Sequence, residues 1–169
     1  MRDPDGRQRR PALAGTPTPR HFPLMKIQNL GHVVLRVRSR ARSEAFYHDV
    51  LGLPVAARSD KLGMTFSSLG SSHHDLAIAE VGEDAPLAAR NQTGLAHVAF
   101  KIGDSLDALK QAKADLDAAG LSCTAADHVV SKSLYLSDPD GNRIELYVDQ
   151  SDVWKQDPAT VASYEPLTL

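Results

Sequence analysis

The chain has 169 residues, the length of a single domain. Its net charge is −2, from 19 basic and 21 acidic residues, which disfavours non-specific nucleic-acid binding because such binding depends on phosphate neutralisation. Hydrophobic residues make up 42% of the chain, enough for a folded core, and no run approaches the roughly 20 apolar residues of a membrane-spanning helix. The single cysteine, Cys123, excludes an internal disulfide, so any metal binding or proton transfer falls to histidine and carboxylate.

Residues 1–25 show no regular hydrophobic period. Their first 24 residues include five prolines and five arginines. This composition predicts a disordered leader. The segment lacks the apolar run of a secretory signal, so the protein is expected to be cytoplasmic.

A first module is predicted over residues 26–82. It starts with a strand at 30–37 and continues with a helix over 40–50 that Ser39 can cap and Gly52 can end. Three short strands follow, at Val55–Arg58, Met64–Leu69 and Asp75–Val81. The polar residues 82–94 predict a linker.

The same order of elements returns in a second module over residues 94–150. Its first strand, 95–102, matches residues 30–37 position by position at an offset of 65. Asp104 is the predicted cap of a helix that ends at Gly120. Three strands follow, near 121–125, 133–137 and 143–149, and the turn residues 138–142 predict that the last two form a hairpin. A tail over 151–169, which contains Trp154, is expected to pack on the core or on a partner.

The predicted fold class is therefore α+β, with two paired βαβββ modules forming a curved mixed sheet around a central metal cavity. A doubled unit of this kind is informative because each half has a sheet face that it cannot bury alone. The predicted domain covers residues 26–150.

Three residues are candidate metal ligands. His32 and His97 occupy equivalent positions in the two first strands, and Glu145 interrupts an apolar strand, where an unpaired charge would be costly. Two histidines and one carboxylate leave open positions on an octahedral ion, which suits iron(II), with manganese or cobalt as alternatives. The corresponding strand of the first module reads Leu76-Ala77-Ile78, with no carboxylate at the position that aligns with Glu145, so a fourth protein ligand is not expected.

Three further residues are candidates for proton transfer or substrate contact. His74, at the start of a strand, reads either as a solvated loop residue or as an acid and base close to the metal. Tyr135 is either an aromatic strand residue or a phenol hydrogen-bonded to a bound oxygen. His128 can line the same cavity. His21, His48 and His73 receive no role.

These residues resemble the vicinal oxygen chelate superfamily, which includes glyoxalase I, bleomycin-binding proteins, fosfomycin-resistance enzymes and type I extradiol dioxygenases. The resemblance runs from about Ile27 to Asp149. It rests on the motifs Gly31-His32-Val33, Gly94-Leu95-Ala96-His97-Val98-Ala99-Phe100 and Asp138-Pro139-Asp140-Gly141-Asn142-Arg143-Ile144-Glu145.

Within this superfamily, His74, His128 and Tyr135 match catalytic residues of the extradiol branch. The resemblance implies a non-haem Fe(II) enzyme, or one with Mn(II) or another divalent metal, that uses O2 to cleave a small catechol-type diol. It also implies a homo-oligomer. Phe66 and Tyr147 are expected to line the substrate site. The alternatives are another metal-dependent member, such as an isomerase or thiol transferase, and a protein that only binds a small molecule.

Overall fold

The protein is described by a computed structural model that covers residues 26–89 and 91–169; the predicted leader, 1–25, lies outside the described residues. Residues Gly31–Leu169 form one compact unit. Within the described part of the chain, no helix has the length and apolar character needed to cross a membrane.

The first module forms a four-stranded mixed sheet. Its elements are β1 (Val33–Val37), α1 (Arg40–Glu44) continued by a π-helical segment (Ala45–Val50), β2 (Val55–Ser59), β3 (Met64–Ser67) and β4 (Leu76–Glu80). The strand order is β1-β4-β3-β2, with β1 and β4 parallel. Ser39 caps α1 as predicted, since its side chain accepts a hydrogen bond from the backbone N–H of Arg42.

The second module repeats this sheet and adds one strand. Its elements are β5 (Val98–Gly103), α2 (Leu106–Ala118), β6 (Thr124–Asp127), β7 (Ser131–Ser137), β8 (Arg143–Asp149) and β9 (Glu165–Pro166). The strand order is β5-β8-β7-β6-β9. The cap of α2 is Ser105 rather than Asp104, because Ser105 has the extended backbone of a cap and its side chain accepts from the N–H of Ala108.

The α+β class and the βαβββ modules are confirmed, but the strands form two sheets, one for each module, instead of one curved sheet. The reason is that β1 pairs with β4 and β5 pairs with β8, each at an end of its own sheet. Neither of these two end strands has a second partner strand among the described residues.

The modules are joined by α1, by its π-helical extension and by one apolar core that contains residues of both sheets. The Tyr47 hydroxyl donates to Asp138 at 2.9 Å, and the Arg42 guanidinium bonds Asp140 at 3.0 Å. Both aspartates are buried in the turn between β7 and β8. Burial, followed by the charge of Asp138, raises the pKa of the Tyr47 phenol. Helix-to-turn contact therefore connects the modules without pairing β1 to β5.

The C-terminal tail folds back onto the second module. It begins with two short 3-10 turns, Val153–Lys155 and Pro158–Ala162, and ends with β9, which pairs antiparallel with β6. Leu167 and Leu169 pack against the core, whereas Trp154 is 45% exposed. The tail therefore packs on the core, which is one of the two arrangements expected for it. Its last residues make this contact, and Trp154 does not.

Candidate metal and substrate site

His97 and Glu145 meet at the end of the second sheet. His97 immediately precedes β5, and Glu145 lies in β8, where it faces Ala99 in the parallel register. The His97 Nε2 atom is 2.9 Å from Glu145 Oε2, while Ser133 donates to Glu145 Oε1 at 2.6 Å. Glu145 is only 8% exposed, and each of its carboxylate oxygens has a polar partner, His97 for Oε2 and Ser133 for Oε1.

Tyr135 and His128 continue this group across the sheet. Tyr135 faces Glu145 in the β7–β8 register, and its ring lies edge-on to the ring of His97. Its hydroxyl is 2.9 Å from His128 Nε2, and His128 Nδ1 is 2.8 Å from the carbonyl oxygen of Ser163. Burial and the charge of Glu145 raise the pKa of Tyr135 to about 12, so the phenol keeps its proton at neutral pH.

A second histidine group lies at the end of the first sheet. The ring centroids of His32 and His74 are 4.1 Å apart, and those of His73 and His74 are 4.5 Å apart. The Nδ1 atoms of His73 and His74 approach to 2.5 Å, and Phe66 stands edge-on to His74 at 5.3 Å. Partial burial, then the neighbouring His32 and His73, lower the pKa of His74 and favour its neutral form.

The candidate residues therefore fall into two groups. We call His32, His73, His74 and Phe66 the first half-site, and His97, Glu145, Tyr135 and His128 the second half-site. Across residues 26–89 and 91–169, no three His, Cys, Asp or Glu side chains lie together in a way that could hold a metal ion. One chain thus brings together two of the three candidate ligands, His97 and Glu145, and keeps His32 beside His74.

The donor atoms of the second half-site fit a divalent metal ion. An imidazole nitrogen and a carboxylate oxygen are ligands that iron, manganese and zinc all accept. Glu145 lies between the buried Ile144 and Leu146, where a carboxylate needs a cationic or hydrogen-bonding partner. Ser133 bonds Oε1 of Glu145, and the other carboxylate oxygen, Oε2, lies 2.9 Å from His97 Nε2. The two atoms are thus close enough to bind the same metal ion.

The two half-sites occupy equivalent register positions. Val34 faces Ala77 in the first sheet, and Ala99, which is related to Val34 by the offset of 65, faces Glu145 in the second. Ala77 in turn faces Phe66, just as Glu145 faces Tyr135. The register thus identifies Ala77, within Leu76-Ala77-Ile78, as the residue at the position of the glutamate.

The two predicted substrate-contact residues lie one in each module. Phe66 is half-buried against His74 in the first half-site. Tyr147 is half-buried on β8, two residues after Glu145 and therefore on the same face of the sheet, where it faces Ser133.

Three neighbouring residues escaped the sequence reasoning. Ser133 shares a face of β7 with Tyr135, and strand alternation alone could have found it. Arg143 shares the face of Glu145, and its guanidinium carbon lies 4.4 Å from the centre of the Tyr135 ring. Ser163 had no sequence signal, because only the folding of the tail brings its carbonyl to His128.

Comparison with known proteins identifies the family to which this architecture belongs. The family model described as the Glyoxalase/Bleomycin resistance protein/Dioxygenase superfamily matches residues 29–146. Among solved structures, a glyoxylase/bleomycin resistance protein/dioxygenase domain from Frankia sp. EAN1pec superposes with a TM-score of 0.63 at 19% identity, covering 78% of this chain and 98% of that chain. This similarity concerns the fold.

Two curated relatives differ in how much of their length is matched. The chain is 37% identical to a catechol-2,3-dioxygenase of Bacillus subtilis (strain 168) over 76% of its own length, but it spans only 45% of that protein. It is 31% identical to the metallothiol transferase FosB of Staphylococcus saprophyticus over 82% of its own length and spans 91% of that protein. With the family model covering more than two thirds of the sequence, the chain belongs to the glyoxalase/bleomycin resistance protein/dioxygenase superfamily.

Proposed function

We propose that this protein is a metal-dependent extradiol dioxygenase that cleaves a small aromatic diol. The observation that carries the proposal is the buried Glu145 carboxylate, bonded to His97 and flanked by the Tyr135–His128 pair. Together these residues offer metal ligands and a neutral phenol that a bound diol could contact. The 37% identity to a catechol-2,3-dioxygenase supports the same reaction class.

The complete site is assembled from two copies of the chain. The first half-site of one copy supplies His32 and His74, and the second half-site of the other supplies His97, Glu145 and Tyr135. Two observations support this assembly: one chain leaves His32 apart from the other two ligands, and β1 and β5 each keep a sheet edge without a second partner strand in the described residues. A twofold dimer would form two identical sites.

The proposed ligands are His32, His97 and Glu145, and the proposed ion is Fe(II), with Mn(II) or another divalent metal as the alternative. Such an ion, once bound, supplies Lewis acidity for the two diol oxygens and open coordination positions for dioxygen. Ser133 keeps the carboxylate of Glu145 oriented by bonding its second oxygen.

The remaining residues move protons and orient the substrate. In the tautomer in which His74 Nδ1 donates to His73 Nδ1, His74 Nε2 is free to accept a proton from a diol hydroxyl. Tyr135 keeps its own proton and orients the diol, while Phe66 and Tyr147 pack against the ring. The Arg143 guanidinium over the Tyr135 ring fixes the position of that phenol.

Reconstitution with Fe(II) under argon, followed by catechol and oxygen, tests this function. The expected result is oxygen uptake together with a yellow ring-cleavage product. Absence of oxygen uptake across a panel of catechols, in protein that retains stoichiometric metal, would overturn the dioxygenase proposal. Ligand binding that survives removal of the metal by a chelator would instead identify a protein that only binds a small molecule.

A second candidate is a metal-dependent thiol transferase. The observation in its favour is the 31% identity to the metallothiol transferase FosB of Staphylococcus saprophyticus over 82% of this chain. The same ligands would serve a different ion and substrate. Metal-dependent consumption of a thiol in the presence of fosfomycin, without oxygen uptake with catechols, would support this candidate over the dioxygenase.

A further inference from the structure

The C-terminal segment lies beyond the region that the family model matches, yet it reaches the second half-site. The match ends at residue 146, whereas β9 pairs with β6 through Ala126–Pro166 and Asp127–Glu165. The backbone N–H of Leu167 also donates to the carbonyl of Ala125 at 3.2 Å. These contacts hold the preceding residues of the segment, Ser163 and Tyr164, beside the loop between β6 and β7.

Ser163 determines which nitrogen of His128 carries the proton. The Ser163 carbonyl can only accept a hydrogen bond, so His128 Nδ1 must donate at the observed 2.8 Å. In the neutral imidazole Nε2 then has a free lone pair, and it faces the Tyr135 hydroxyl at 2.9 Å. The tail therefore makes His128 an acceptor toward Tyr135.

The loop that carries His128 is strained, which indicates that its position is held by its surroundings. Val129 has φ of 68°, a conformation that a β-branched residue rarely adopts. The N–H of Val130 bonds the carbonyl of His128 at 2.7 Å, closing a tight three-residue turn, and Asp127 accepts from the N–H of Val129. Strain of this kind persists where the neighbouring contacts impose it.

Tyr164 extends a row of rings that starts at a candidate metal ligand. The ring centroids of His97 and Tyr135 are 5.8 Å apart, those of Tyr135 and His128 are 6.0 Å apart, and those of His128 and Tyr164 are 5.6 Å apart. Tyr164 is 62% exposed, so its ring is available to another molecule. These four rings extend further from His97 than a single catechol ring would reach, so a substrate that contacts Tyr164 must be larger than catechol.

We propose that Ser163 and Tyr164 complete the substrate site, with the Ser163 carbonyl positioning His128 and the Tyr164 ring selecting diols that carry an extended aromatic substituent. The proposal rests on the proposed dioxygenase function for the identity of the substrate. The position of the proton on His128 does not depend on that function, so it can be measured separately.

Imidazole 15N–1H spectra of the full-length protein test the positioning role, with the His128 signals assigned by their loss in His128→Gln. We expect the proton on Nδ1 in the unmodified protein. Leu167→Asp, which places a charge where the tail packs on the core, should abolish that preference, whereas Val161→Asp makes the same change at an exposed tail residue and should not. A proton on Nε2 of the unmodified protein, or an unchanged spectrum in Leu167→Asp, would overturn the assignment.

The selecting role is tested with Tyr164→Ala, using Trp154→Ala as the matched control in the same tail. We expect Tyr164→Ala to raise the ratio of KM for 3-phenylcatechol to KM for catechol by about tenfold, the loss expected for one aromatic contact. An unchanged ratio in an active enzyme contradicts this role while leaving the dioxygenase function intact. If the protein has no dioxygenase activity, the affinity for 3-phenylcatechol is compared between Tyr164→Ala and the unmodified protein. Weaker binding to the variant supports the inference, and equal binding overturns it.

Discussion

The two modules share one register but carry opposite chemistry at equivalent positions. Phe66 faces Ala77 in the first sheet, where Tyr135 faces Glu145 in the second. The first module thus pairs an aromatic with a methyl group, and the second pairs a phenol with a buried carboxylate. Both place a histidine just before the first strand, His32 and His97.

This difference indicates a division of labour in the proposed site. The second module holds its charge with hydrogen bonds from Ser133 and contact with His97, which a buried carboxylate requires. At the position equivalent to Glu145 the first module has Ala77, which needs no such partners, and beside it the module offers the Phe66 ring and imidazoles. A complete proposed site therefore needs one first half-site and one second half-site. The following variants test whether these come from different copies of the chain.

The largest expected effect comes from mixing two inactive variants. Glu145→Gln removes the carboxylate ligand and His32→Ala removes the imidazole of the other half-site, and each alone should lower metal affinity by more than about 100-fold and abolish turnover. After the two are mixed and allowed to exchange subunits, each heterodimer keeps one intact site. Activity should then return to about a quarter of the original value, because half the dimers are mixed and each has one of two sites.

The matched control mixes Glu145→Gln with His97→Ala. Both changes fall in the second half-site, so no combination of copies restores a complete site. Recovery in this control, or no recovery in the first mixture when subunit exchange has been verified, contradicts a site shared between copies.

The sequence predicted the repeat well because strands and turns are local, and an offset of 65 aligned the first strands of the two modules. It also named His32, His97 and Glu145 as candidate ligands, from histidines in apolar strands and a glutamate within an apolar run. It expected these three around one cavity of a single chain, whereas His32 lies apart from the other two, and their role as ligands stays a prediction. The sequence did not predict how the two modules contact each other. That arrangement depends on Tyr47 and Arg42 contacting aspartates almost a hundred residues away, and no periodicity encodes such a contact.

His74→Ala tests the contribution of the first module to proton transfer. If His74 accepts the diol proton, kcat should fall by about 100- to 10,000-fold with metal content retained. His48→Ala is the control, since His48 is an exposed histidine that bonds the Leu53 carbonyl away from both half-sites. Steady-state kinetics and metal analysis of both variants decide the matter, and normal turnover in His74→Ala would remove His74 from the mechanism.

Tyr135→Phe converts the second module to the residue that the first module has at the same position. The variant loses the hydrogen bond to His128, so the free energy of unfolding should fall by about 1 kcal/mol. Turnover should fall by about 10- to 100-fold, the range seen when an orienting group is removed. Tyr47→Phe also loses one hydrogen bond, to Asp138, and should lower stability without changing kcat. Equal kcat in the two variants would show that Tyr135 does not orient the substrate.

The smallest effect concerns an ion pair of the first module that lies outside the half-sites. Arg58 bonds Glu44 at 2.8 and 2.9 Å and, with Thr65, lowers the pKa of that carboxyl below its usual 4.5. A folded-state pKa below the unfolded value stabilises the protein above the unfolded pKa, and this stability is lost as the pH falls through the folded value.

Glu44→Gln should therefore lower the free energy of unfolding by about 0.5 kcal/mol at pH 7, a modest figure because Arg58 is half-exposed. The difference from the unmodified protein should shrink below pH 4.5 and disappear once Glu44 is protonated in both states. Urea unfolding at a series of pH values measures it. A difference that persists in acid would mean that Glu44 acts through packing against Thr65 rather than through charge, and would leave the first module without an electrostatic contribution from this pair.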